Sequence, residues 1–362
     1  MQLYKVFFGE EHPTNKKEPS DVWRRSRVDR SNEKSPLFSF VGNDKALKKL
    51  QVAAYDALGK PDHLCREIAF AFFGPSSSGK TTLARKYAQI VELPFVEISP
   101  KSVKTLDDVF KEIERVLANE RLPLIEVVRP KYYFIPPCII FIDEVHALND
   151  YIIQGLLKAT EYNDAQFVTE SGRTLNCFNV CWMIATTDEG ELFEAFRTRF
   201  SPVNLKYLTK PEISRIVKLA NSDLPVEVCD LVAHYNSRIP RKALEFARYM
   251  KLTRQMDQKD WVTIAKEVAT DEGIDDYGMH ETHLCILKAL GQGPVAKNRI
   301  VNVAGRKMEE CERFIMPWLL TETEDQPAMV TVSNRGYTIT PAGLKELERR
   351  NISHKGSVAM NI

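Results

Sequence analysis

The chain has 362 residues, 44% hydrophobic and 27% charged, an ordinary globular composition with length for two or three domains at about 150 residues each. With 50 Lys plus Arg against 49 Asp plus Glu the formal net charge is +1, which excludes binding of nucleic acid by bulk charge and leaves only local patches for it. Seven scattered cysteines form no Cys-x-x-Cys pair and no zinc spacing, so they are expected to be reduced and mostly buried, and the apolar run Leu3 to Phe8 is too short for a signal-peptide core. No later run approaches a membrane span, so a cytoplasmic placement with no membrane partner is expected.

Residues 9 to 36 are polar, carry Pro13, Pro19 and Pro36, and include the basic and aromatic cluster Trp23-Arg24-Arg25-Ser26-Arg27. They predict an extended arm over 1–36, either solvated or suited to touching nucleic acid or a neighbouring subunit. After a short apolar segment, Phe38 to Gly42, helical spacing of Leu47, Leu50, Val52, Ala53 and Leu58 predicts a helix over 45–58. Ile68 to Phe73 reads as a buried strand and leads into Gly74-Pro75-Ser76-Ser77-Ser78-Gly79-Lys80-Thr81, which fits the G-x-x-x-x-G-K-[ST] phosphate-binding loop; Thr82 to Ala88 leaves it with helix formers. The glycines let backbone N–H groups approach a polyphosphate and the helix N-terminus adds positive potential. Lys80 can reach the β and γ phosphates and Thr81 can ligate Mg²⁺. A nucleotide site over Gly74 to Thr82 follows.

Leu93 to Ile98 predicts a second strand and Thr105 to Leu117 a helix, joined by Ser99 to Lys104 with its two lysines, Lys101 and Lys104. The strand-forming runs at 125–128 and 132–134 lie in a stretch, 118–137, to which no place is assigned. Cys138 to Ile142 reads as a buried parallel strand ending in two carboxylates; in phosphate-loop ATPases the first, here Asp143, holds Mg²⁺ and the second, here Glu144, polarises the attacking water. Then come a helix over 150–158, a hairpin over 165–178 turning at Ser171-Gly172, and a buried strand, Val180 to Thr187, whose terminal hydroxyls suit contact with a γ-phosphate or water. Further on, 281–290 reads as a helix, 300–304 and 308–320 as a helix-turn-helix pair, and 329–340 as a hairpin with Arg335 at its turn, a winged-helix pattern.

The series of phosphate loop, Ile-Asp-Glu-Val-His at 142–146, Ala-Thr-Thr at 185–187, Arg-Thr-Arg-Phe at 197–200 and Ser-Arg-Ile-Pro-Arg at 237–241 resembles the AAA+ ATPases, and within them the RuvB family of branch-migration motors, from about Phe38 to Leu347. The resemblance implies ATP and Mg²⁺ as ligands, Lys80 and Thr81 as Walker A, Asp143 and Glu144 as Walker B, and Thr187 as the sensor-one residue. It further implies Arg199 as the arginine finger reaching a neighbouring subunit, Arg241 as the sensor-two arginine, and Phe40, Val41 and Gly42 against the adenine. The implied organisation is an α/β AAA+ phosphate-loop domain over 37–205, a helical lid over 206–270, a winged-helix domain over 271–350 and a tail over 351–362. The implied partners are duplex or branched DNA, held by Lys101, Lys104 and Arg335, and other copies of the chain in a hexameric ring, with a protein partner docking on the hairpin 165–178 or the arm. Three readings remain open: an ATP-driven DNA motor, an ATP-switched loader or targeting ATPase, and a protein-remodelling ATPase, the last disfavoured because the pore-facing stretch 99–104 lacks an aromatic grip.

Overall fold

Runs of consecutive apolar residues, too long to alternate between core and solvent, build the centre of the fold. The computed structural model describes residues 40–59, 69–126, 131–161, 164–192, 194–236 and 238–354; the arm with Trp23 to Arg27, Ile68, Val127, Val128, Ser237 and the end of the tail lie outside them. In chain order come α1 (Asp44–Gly59), β1 (Phe70–Phe73), α2 (Lys80–Val91), β2 (Phe95–Ile98), α3 (Leu106–Asn119), β3 (Ile125–Glu126), β4 (Tyr132–Phe134), β5 (Cys138–Ile142), α4 (Asp150–Ala159), β6 (Gln166–Val168), β7 (Thr174–Asn176), β8 (Val180–Thr186), α5 (Glu194–Arg197) and β9 (Ser201–Asn204). Strands β2, β5, β8, β1 and β9 lie in that order in one parallel sheet, with Ile142 opposite Ile184 and Phe73 opposite Thr186. Residues of β5 and β8 alternate between the two faces. Ile140, Ile142, Trp182 and Ile184 meet α3 and α4 on one side, while Ile139, Phe141, Cys181 and Met183 meet α1 and α2 on the other. Because β8 lies between β1 and β5, the carboxyl ends of all three strands, and the loops that follow them, converge.

The unassigned stretch 118–137 and the hairpin 165–178 turn out to be one structure. A second sheet runs β3-β4-β7-β6, with β4 parallel to β7 and the hairpin pair antiparallel. Its turn does not project: the Glu170 carboxylate accepts hydrogen bonds from the N–H groups of Leu106 (3.0 Å) and Asp107 (2.9 Å) in the first turn of α3, where a negative charge meets the helix dipole. Asp107 in return accepts from Ser171 N (2.8 Å) and pairs with Arg173 at 3.1 Å. Beneath them Phe110, fully buried, meets the Tyr133 ring edge-on at 5.2 Å, and the Arg173 guanidinium lies 4.3 Å from the Phe110 ring centre. The sequence expectation stopped the preceding helix at Leu117, whereas α3 runs on to Asn119.

Helices α6 (Lys210–Ala220), α7 (Val226–Tyr235), α8 (Pro240–Asp257) and α9 (Trp261–Asp271) enclose a third core around Ile213, Val217, Val232, Phe246 and Val268. A fourth core, with Ile286, Leu290, Met316, Leu319 and Tyr337, joins α10 (Glu281–Gly291), α11 (Ile300–Ala304), α12 (Met308–Glu310), α13 (Met316–Leu320), the antiparallel hairpin β10 (Val330–Ser333) and β11 (Gly336–Ile339), and α14 (Pro341–Arg349). The expected single helix over 308–320 contains a π-helical turn, Cys311–Ile315. Pro317 has no N–H for an i−4 bond, and a π turn absorbs such a break. Among the described residues no helix is long and apolar enough to cross a membrane. The described cysteines are all free thiols, buried except Cys285.

Since fully buried Phe110 packs α3 against both Tyr133 and Arg173, Phe110→Ala should lower the stability of the α/β unit by about 3–5 kcal/mol in urea denaturation.

Candidate nucleotide site

The phosphate loop between β1 and α2 owes its shape to residues that accept left-handed backbone: Gly74 has φ 151°, Ser77 62° and Gly79 94°. A Cβ on Gly79 would come within 2.8 Å of the Phe40 ring, so its missing side chain admits Phe40 against the loop. Lys80, 6% exposed, donates from Nζ to the carbonyls of Gly74 (2.9 Å) and Pro75 (3.1 Å), folding the loop around its own ammonium. Burial pulls the Lys80 pKa below its ordinary value, and the Glu144 and Asp143 carboxylates oppose that shift. Ser78 is buried and its hydroxyl lacks a hydrogen-bond partner among the described residues. Pro75 and Ser76 are half-buried, and Thr82 is exposed on the first turn of α2.

Thr81 Oγ1 donates to Asp143 Oδ2 at 2.8 Å across 62 positions of sequence. A hydroxyl beside a carboxylate is the hard-oxygen donor set of a Mg²⁺ ion that completes its shell with phosphates and water, and among the described residues no cluster of three metal-ligating side chains offers an alternative cage. These residues fit the ion: Thr81 and Asp143 would hold Mg²⁺, which would neutralise phosphate charge there.

Glu144 follows with φ 49°, a left-handed conformation uncommon for a residue with a side chain, and its N–H donates to Asp143 Oδ1 at 3.0 Å. Its carboxylate turns toward β8, where Oε2 accepts from Thr187 N (3.3 Å) and Thr187 Oγ1 (3.2 Å). His146 Nδ1 lies 3.4 Å from the same oxygen and 2.7 Å from Thr186 Oγ1. Thr186 Oγ1 also reaches Asp188 O at 3.1 Å and accepts from Asp188 N at 3.0 Å. When the single hydroxyl proton goes to that carbonyl, His146 Nδ1 is the donor in this contact. Thr186, expected as one of the strand's terminal hydroxyls, and His146 complete the Glu144 setting; His146 was not singled out from sequence, although it stands in the quoted Ile-Asp-Glu-Val-His run.

The remaining expected residues divide. Phe40 reaches the loop and Val41 is buried, whereas a Cβ on Gly42 would strike Leu208 and Glu212, so this end of the segment packs on the start of α6. Arg199 is not joined to this site within the subunit: it follows α5, donates to Ala195 O and pairs with Glu161 at 3.5 Å. Arg241 is exposed in the first turn of α8. Lys101, Lys104 and Arg335 are exposed, the lysines on the loop before α3 and the arginine between β10 and β11.

A five-stranded parallel sheet with a phosphate loop, adjacent strand-end carboxylates and hydroxyls at the end of the strand between them defines an AAA+ ATPase fold, and residues 70–206 match the family described as ATPase family associated with various cellular activities (AAA). Within that class the chain has the fold of RuvB. A RuvB point mutant from Thermotoga maritima superposes with a TM-score of 0.68 at 22% identity, covering 88% of this chain and 98% of that one. The Thermotoga maritima RuvB Holliday junction branch migration motor gives 0.66 at 22% identity over 86% and 96%. The ATP-dependent protease ATPase subunit HslU is 30% identical over 95 residues in Lactobacillus delbrueckii subsp. bulgaricus, 24% of this chain and 20% of HslU, and 31% identical over 85 residues in Lactobacillus acidophilus, 22% and 18%. The chain therefore spans about a fifth of the length of these curated relatives.

If Glu144 orients the attacking water, Glu144→Gln keeps a side chain that Thr187 can hold but removes the charge, so ATP binding should persist while hydrolysis falls by about 10² or more. Equilibrium binding of a fluorescent ATP analogue beside steady-state phosphate release separates the two; turnover at the wild-type rate refutes the assignment.

Proposed function

We propose that the chain is an ATP-hydrolysing motor acting on DNA as a ring of identical subunits, by branch migration or duplex translocation. The observation that carries this reading is that the likeness to RuvB extends beyond the ATPase unit over 88% of the chain, including the helical unit and the C-terminal unit. In it, residues 206–270 act as a lid presenting Arg241 to nucleotide and 271–350 as a winged-helix domain meeting DNA through Arg335. Lys80 and the loop N–H groups bind the phosphates, Glu144 orients the attacking water, Thr187 fixes the carboxylate, and Arg199 completes the site of the neighbouring subunit. The Glu161 pairing then describes the finger of a free subunit, held by a partly exposed ion pair weak enough to exchange.

The HslU match favours a second reading, a protein-remodelling ring. Against it stands the loop before α3: it exposes Lys101, Ser102 and Lys104 and buries Val103, a surface suited to phosphates rather than to gripping peptide. Steady-state ATPase with duplex DNA, branched DNA or an unfolded protein, alongside strand displacement, decides between them. Stimulation by DNA with displacement supports the motor, DNA response with a single turnover per event supports a loader, and stimulation only by unfolded protein overturns both.

Arg199→Ala should bind ATP yet lose turnover by about 10³, as loss of an arginine finger does. Mixed rings with Lys80→Ala subunits, co-assembly being checked by light scattering, should recover part of it, because each variant supplies what the other lacks.

If Lys101, Lys104 and Arg335 meet DNA phosphates, each Ala substitution should lower the slope of log affinity against log salt on duplex DNA by about 0.9. Titrations across salt concentrations read this directly; an unchanged slope in the triple variant removes these residues from the interface.

A further inference from the structure

The turn between α7 and α8 holds Arg238, three residues before Arg241, and no part of the nucleotide reading uses it. Its backbone is left-handed, φ 73°, its side chain is 2% exposed, and Leu208 and Arg238 form an antiparallel bridge. Four hydrogen bonds carry its guanidinium into the C-terminal unit: Nη1 donates to the carbonyls of Trp318 (2.5 Å) and Thr321 (2.8 Å), Nε to Gln326 Oε1 (2.9 Å), and Nη2 to Gln326 O (3.4 Å). It also lies 4.9 Å from the Trp318 ring centre and 5.9 Å from that of Tyr207. Two of the carbonyls close α13, the end at which a helix dipole favours a cation. Burial lowers the Arg238 pKa, and Tyr207 and Asp325 counter it; no carboxylate pairs with it within 4 Å among the described residues. The same stretch is tied a second time, since Asp325 Oδ2 accepts from Lys210 N at 2.8 Å at the start of α6.

We infer that Arg238 is a positioning residue for Arg241, and that the C-terminal unit sets that position: the side chain fixes where α8 starts relative to 318–326, so nucleotide engaged by the lid and whatever ligand engages the C-terminal unit bias one shared joint. A buried charge with four directed acceptors and a left-handed backbone is costly to hold in any intermediate arrangement, which makes the joint move as a unit rather than stretch. The contacts run on from one to the next: Phe40 packs on the phosphate loop at Gly79, Gly42, two residues on, packs on Leu208 and Glu212, Leu208 bridges to Arg238, and Arg238 holds Trp318, Thr321 and Gln326. Linkage then requires that nucleotide alter the C-terminal segment by the same factor by which that segment alters nucleotide affinity.

The inference rests on the nucleotide site proposed above, and hydrogen exchange on the full chain with and without Mg²⁺ and the slowly hydrolysed analogue ATPγS tests both separately. In the wild type, nucleotide should slow exchange in 74–82 and change it by about tenfold in 318–326, within the range of ordinary allosteric coupling. Arg238→Lys keeps charge but not the fork, and Gln326→Ala removes an acceptor without touching the lid; both should keep the response in 74–82, which also certifies folding, and lose that in 318–326. A response in 318–326 surviving in both variants, or confined to 74–82 in the wild type, overturns the inference while leaving the nucleotide site intact. No protection of 74–82 in the wild type overturns the nucleotide reading and the inference with it.

Discussion

The hydrogen bond from Thr81 to Asp143 depends on one topological fact: β8 is inserted between β1 and β5. That insertion places the loop after β1, the carboxylates after β5 and the hydroxyls after β8 at one edge, so residues distant in sequence face a common volume. The apolar runs of these strands are a consequence of the same arrangement, since a strand between two others and covered by helices on both faces has no solvent side. Lys80 adds a buried cation at that edge, and burying it is tolerable because two carboxylates and two loop carbonyls face it.

Much of this was legible in the chain because the residues concerned answer to local rules. Gly74 to Thr81 is a contiguous pattern, and Asp143 and Glu144 end an unbroken apolar run. What escaped was decided by partners far apart in sequence. The short strands β3 and β4 have too few residues to show a period, and they became readable only once β7 supplied their neighbour. His146 gives no signal alone; its meaning comes from Thr186, forty positions later. Arg238 was quoted as part of a motif but drew no reading, because an arginine near a turn is ordinarily solvated and nothing local announces that carbonyls eighty positions on will bury it.

The second sheet alters what the hairpin 165–178 can offer. In an isolated hairpin the turn residues would present their polar groups outward, whereas Glu170, Ser171 and Arg173 are committed to the first turn of α3. Helix α3 begins immediately after the loop carrying Lys101 and Lys104, and Asn149, the cap of α4, donates to Lys104 O at 3.1 Å. The loop is thus braced from two elements at its C-terminal end. A ligand that pressed on those lysines would push against the hairpin and the strand-end region together, not against a free strap.

Holding a cation with carbonyls rather than with a carboxylate has a physical consequence for how the molecule answers its surroundings. Partly exposed ion pairs, such as Arg199 with Glu161, weaken as ionic strength rises, because mobile ions reach and screen them. Mobile ions do not reach a buried guanidinium bonded to neutral oxygens, and its grip on the C-terminal unit should hardly change. Brine should therefore act on this chain as a selective solvent, loosening the Arg199–Glu161 pair while leaving the Arg238 joint bolted together.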